Sequence, residues 1–138
     1  MDAVGADLGD AEISGVVEAA LDGEVGVLGA ELALLDEAGV SPIPLLRALV
    51  RRFMLLAELR GDVDAGVSIN DVIERHNVFF KEKAGTARAL RLWTSLRITI
   101  AIDRLRQAER ALMSAASAGD VIAQSACLAI ARTARSQR

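Results

Sequence analysis

From residue 10 onward the apolar residues of this chain recur every three or four positions, and nowhere do they alternate over the length of a strand. That period is the signature of amphipathic helices, and it rules out a half-buried sheet more strongly than any composition argument could. It is clearest in "SPIPLLRALVRRFMLLAELRGDVDAG", where Leu45, Leu46, Leu49, Val50, Phe53, Leu56, Ala57 and Leu59 cover most of one helix. A narrow polar seam remains through Arg47, Arg51 and Glu58. A helix this apolar belongs at the centre of a domain. Ser41 is the expected N-cap, with Pro42 at the first helical position and Pro44 still inside the first turn, where a missing N–H is harmless.

The same reading divides the rest of the chain. Residues 1–9 are rich in Gly and Asp and read as a flexible tail. Asp10 is placed to cap a first helix carrying Ile13, Val16, Val17, Ala20 and Leu21, ended by Gly23. A second helix, residues 25–38, presents Leu28, Leu32 and Leu35 and stops at Gly39. Its Gly26 and Gly29 each weaken it by about 1 kcal/mol relative to alanine, which marks a marginal segment. Gly66 ends the central helix, and Ser68 with Asp71 resembles a capping box opening a short helix with Ile69, Val72 and Ile73 inward.

The segment "VFFKEKAGTARALRLW", Val78 to Trp93, holds two of the three phenylalanines and the only tryptophan of the chain, with Lys81, Lys83, Arg88 and Arg91 interleaved. In a domain so poor in aromatics, burial of about 150–250 Å² per ring makes Phe53, Phe79, Phe80 and Trp93 the expected core anchors. The lysines and arginines are then a solvated or partner-facing rim. Thr94 or Ser95 opens a long helix to about residue 115, with Ile98, Ala101, Ile102, Leu105, Ala108 and Leu112 inward and Arg97, Arg104 and Gln107 outward. The break "SAASAGD" and a cap at Asp120 introduce the last helix, through Ile122, Ala126, Leu128, Ile130 and Arg132. About seven helices with short links make an all-α helical bundle of one domain, residues 10–138.

Charge and chemistry narrow the function classes. The net charge of −3 conceals thirteen acids and four bases in residues 1–66 against six acids and twelve bases in residues 67–138, or −9 and +6. Such a split can orient a charged partner, but it is too weak for a dedicated DNA-binding domain. His76 is the only histidine and is expected at the surface, and Cys127 is the only cysteine and is expected in the core. No phosphate-binding loop occurs, and "GEVGVLG" has the wrong spacing for a dinucleotide fingerprint and follows a helix rather than a strand. Acid pairs such as Asp36/Glu37 and Asp62/Asp64 sit at helix ends with no sign of convergence. The expectation is a non-enzyme with no catalytic residue, cofactor or metal. No basic region precedes an apolar run, and no apolar window reaches about 18 residues, so a cytoplasmic protein without a membrane span is expected.

Three segments together resemble a known family: "GVSPIPLLRALVRRFMLLAELR", "IERHNVFFKEKAGTARALRLW" and "IDRLRQAERALM" are similar to the C-terminal region of the delta subunit of the bacterial DNA polymerase III clamp loader. The likeness covers residues 10–138 and is most specific between Phe79 and Trp93. One departure is visible, Met113, where family members often carry a lysine. The resemblance implies a helical collar domain that joins its subunit to the ATPase and delta-prime subunits, with the sliding clamp and DNA reached only through the complete complex. It also implies that the AAA+-type domains that precede a collar lie outside these residues, that the chain is a fragment, and that alone it is mostly monomeric. Lys81, Lys83, Arg88 and Arg91 are the candidates for the partner surface. Two rivals stand beside it: a free-standing helical nucleic-acid-binding module, and a helical homodimerisation domain.

Overall fold

The structure, a computed structural model, describes residues 10–114 and 119–137; the expected tail at 1–9 lies outside them, as do the side chains of Asp10 and Asp120, the expected caps. Seven α-helices and no strand occur among the described residues: α1 (Asp10–Asp22), α2 (Val25–Glu37), α3 (Ile43–Asp64), α4 (Ile69–Arg75), α5 (Lys83–Leu92), α6 (Ser95–Ser114) and α7 (Gly119–Ser136), with one 3-10 turn at Phe80–Glu82. The chain is an all-α bundle. None of these helices is long and apolar enough to cross a membrane.

Local chemistry sets the boundaries. Helix α3 starts one residue later than expected, with Pro42 at the N-cap, while the Ser41 hydroxyl accepts from the Ile43 N–H at 3.3 Å. Ser68 accepts from the Asp71 N–H at 3.2 Å to open α4, and Thr94 rather than Ser95 accepts from the Arg97 N–H at 3.3 Å to open α6. Gly23 ends α1 at φ +78°, and a Cβ there would lie 2.6 Å from the backbone nitrogen of Arg135 in α7. Glycine is required at that point twice over, for the left-handed backbone and for the approach of α7. Gly26 and Gly29, by contrast, face open space, so close helix contact is not their role.

Helix α3 occupies the centre, packing against α1, α4, α5, α6 and α7. Its Leu45, Leu46, Leu49, Phe53, Leu56 and Leu59 are buried, while Arg47, Arg51 and Glu58 form the exposed seam. Ala57, expected on the apolar face, is exposed instead, because its position falls beside Glu58 on that seam. The second packing centre is α7, set against α1, α2 and α6, with Ala123, Ala126, Cys127, Ile130, Ala131 and Ala134 buried. Small residues at four of those six positions let neighbouring helices come close. Burial pushes the Cys127 thiol up to about 12, so the core reading of this residue holds and its thiolate is scarce near neutrality.

Candidate functional site

The elbow between α4 and α5 is where the aromatic residues divide. Arg75 ends α4, His76 caps it, and Asn77 takes a left-handed φ of 54°, which asparagine tolerates better than most residues. Val78 then turns inward, Phe79 is extended at φ −53° and ψ 131°, and the 3-10 turn leads into α5. Val78 and Glu82 are the residues this path buries. Phe79 and Phe80 are 55% and 70% exposed, so they are not core anchors, whereas Phe53 and Trp93 are fully buried. The cause is polar: Glu82 must reach Arg51, at 2.7 Å, and that pair fixes the rotation of the turn with both phenyl rings outside. The rings meet edge to face with centroids 5.0 Å apart, and the Lys81 ammonium lies 5.9 Å from the Phe80 centroid. Phe79 and Arg51 border an open groove of about 410 Å³ together with Ile13, Ser14 and Ala48.

Beneath the elbow runs an ionic cluster that links three helices. The Arg52 side chain, 1% exposed, is paired through Nη1 with Glu18 of α1, and its Nε lies 4.0 Å from Glu82 Oε1. Arg88 of α5 reaches Glu18 at 3.8 Å and grips Asp22 through two hydrogen bonds of 3.2 and 3.3 Å. The Asp22 hydrogen bond holds the Arg88 guanidinium still further above its ordinary range, against a smaller opposing effect of burial. Arg52 Nε and Nη2, Glu18 Oε1 and Thr86 Oγ1 are buried without a hydrogen-bond partner among the described residues. Gly85 permits this arrangement, since a Cβ there would fall 2.1 Å from Glu18 Oε1. Sequence reasoning missed Arg52, although a signal existed: positions 45, 49, 52, 56 and 59 continue one helical stripe, and an arginine in that row must find acids.

The four residues expected to form a partner surface are held in different ways. Lys83 is tied to Glu74 at 2.9 Å, and Arg88 is committed to the α1 carboxylates. Lys81 stands over Phe80, and Arg91 is exposed on a shallow groove of about 380 Å³ beside Arg88, Asp22 and Glu24. His76 is not the plain surface histidine expected. Its Nε2 is 2.8 Å from Asp62 and its Nδ1 is 3.4 Å from Glu58, so it ties the end of α4 to α3. Asp62 and Asp64 also do not converge, because Asp64 pairs with Arg60 at 2.8 Å. Among the described residues no group of His, Cys, Asp and Glu is arranged to hold a metal ion.

A second surface was not anticipated from the sequence. Between α6 and α7 lies a groove of about 300 Å³, with Leu96 and Ile100 on its rim, Ala101 and Ile130 along it and the buried Trp93 beneath. Leu96 is 69% exposed and Ile100 49%. Arg97 and Arg104 border the same groove, both exposed, and neither has an ion-pair partner among the described residues. Their outward orientation was legible, but the apolar row beside them was not, because it lies one stripe away from Ile98 and Leu105 of the core. Met113, further along α6, is exposed as well. No protein-family model, no curated protein and no solved structure matches this chain.

Proposed function

We propose that this chain is a subunit-assembly domain of clamp-loader collar type, acting in the cytoplasm and supporting the loading of a sliding clamp onto primed DNA without catalysing a step itself. The observation that carries the reading is the α6/α7 groove, in which exposed leucine and isoleucine side chains adjoin two arginines that have no partner among the described residues. Exposed apolar side chains over a concavity and uncommitted charges at its border are what an interface core and rim require. The sequence resemblance supplies the identity of the partners: the ATPase and delta-prime subunits of the same loader. The mechanism is mechanical, with apolar helix faces buried between neighbouring domains and charge setting their orientation. A pull-down of the chain against those two subunits, followed by size-exclusion chromatography, tests it. A stable complex is expected, and absence of binding to both subunits overturns the reading.

A second reading has one observation in its favour, the exposed Phe79–Phe80 pair with Lys81 beside it. Aromatic faces next to a cation suit stacking on unpaired bases. Salt-sensitive binding of single-stranded DNA by the isolated chain, lost on changing both phenylalanines, is its expected outcome.

A further inference from the structure

From the α6/α7 groove we infer the chemistry of the partner: an acidic amphipathic helix that presents two carboxylates one heptad apart and two apolar side chains between them. The inference rests on the assembly reading only in taking the partner to be a protein.

The spacing comes from α6. Arg97 and Arg104 are seven residues apart, two helical turns, so their α-carbons are about 10 Å apart along the axis. Leu96 and Ile100 are one turn apart on the same side, and all four border one groove with no acidic residue among those lining it. A helix laid along it meets the two arginines at positions i and i+7 and fills the groove from i+3 and i+4, which share that face. Carboxylates at i and i+7 are therefore the matching charges. The groove does not suit unpaired bases: its one aromatic, Trp93, is fully buried beneath it and has no face free for stacking, and its exposed surface is aliphatic.

Trp93 also supplies the readout. It is the only tryptophan in a chain without tyrosine, so emission excited at the indole band comes from this residue alone. The probe is a designed helical peptide with Glu at i and i+7 and Leu at i+3 and i+4, titrated against the full chain. The control peptide moves the second Glu to i+5, on another face. Saturable change in Trp93 emission with the first peptide and a roughly tenfold weaker response to the control are expected. The variant R97E/R104E, altered at exposed positions that leave the fold intact, should lose the first peptide by about tenfold and accept its Lys-for-Glu counterpart. L96S/I100S should weaken both. Equal binding of the two peptides, unchanged binding by R97E/R104E, displacement by single-stranded DNA, or self-association of the chain through Leu96 and Ile100 each overturns the inference. Failure here and failure of the assembly reading are separable. If R97E/R104E still enters the complex with the loader subunits, the groove proposal falls and assembly stands. If the chain binds the peptide and not the subunits, the reverse holds.

Discussion

Two aromatic pairs in this molecule share one geometry and nothing else. Phe53 and Trp93 meet edge to face with centroids 4.8 Å apart and planes at 78°; Phe79 and Phe80 do so at 5.0 Å and 67°. The first pair is sealed in the core and the second stands in solvent. Ring chemistry cannot explain the difference, so the backbone and its polar partners must. Trp93 caps α5 in extended conformation, at φ −100° and ψ 121°, which ends the helix and swings the indole under α6. Its N–H donates to the Leu21 carbonyl at 3.1 Å, satisfying one of the terminal acceptors of α1. Arg60 donates to the carbonyls of Leu90 and Trp93 at 2.7 and 3.1 Å and holds the turn in place. At the other elbow the inward positions are taken by Val78 and Glu82, and the phenyl rings are left outside. Trp93 is an anchor because a hydrogen bond and a chain reversal place it inward, and Phe53 because it lies on the buried stripe of α3.

The largest effect should come from breaking the buried pair. Trp93→Ala removes the largest buried side chain and the Leu21 hydrogen bond, and should destabilise the chain by about 3–5 kcal/mol in urea unfolding followed by far-UV circular dichroism. Trp93→Phe keeps much of the volume but leaves the Leu21 carbonyl without its donor, at a loss of about 1–3 kcal/mol. Alkylation of Cys127, protected in the native state, gives a second readout of opening. If Trp93→Ala cost less than 1 kcal/mol, the contrast between the pairs would have no energetic content.

Next comes the cluster that turns the exposed pair outward. Arg52→Ala removes the buried guanidinium between Glu18 and Glu82, and should cost about 3 kcal/mol, since breaking a buried pair strands the partner charge. Arg51 and Arg88 still contact these acids, which keeps the loss below the top of that range. A smaller probe of the same cluster is Gly85→Ala. Its Cβ pushes the Glu18 carboxylate aside and disturbs its pairing with Arg52, yet alanine improves the propensity of α5, so a net loss of about 1 kcal/mol is expected. A stabilised Gly85→Ala variant would mean that the Glu18–Arg52 contact contributes nothing.

These residues also mark the limit of what the sequence discloses. The helices were legible because periodicity, serine and threonine caps and helix-ending glycines are local signals, and each acts within one turn of its own position. Trp93 and Phe53 fell on the stripes that those helices bury. Phe79 and Phe80 did not follow the rule that large rings go inside, because the rotation of their turn is decided by Glu82 and Arg51, 31 residues apart in the chain. The Arg52 cluster was hidden for the same reason: Glu18, Arg52, Glu82 and Arg88 come from separate segments, and only the packing of α1, α3 and α5 brings them together. The groove needed α7 laid beside α6 before Leu96 and Ile100 became its rim.

The smallest expected effect on stability is the sharpest test of the comparison. Changing Phe79 and Phe80 together to alanine removes two rings that are mostly in water, so unfolding free energy should move by no more than about 0.5 kcal/mol for each position. The fold has little to lose there, because the turn is held by Glu82 and Val78, which the variant keeps. Any function of the pair should then disappear from an intact protein. Fluorescence anisotropy with labelled oligothymidine at low and high salt makes the distinction: binding by the parent chain and its loss in a variant of unchanged stability would assign the rings to base stacking, worth about 1–3 kcal/mol per base. Equal anisotropy for parent and variant would leave the aromatic elbow without a role in nucleic-acid contact. A loss of stability near that of Trp93→Ala would instead return both rings to the core and erase the contrast with which Phe53 and Trp93 were set apart.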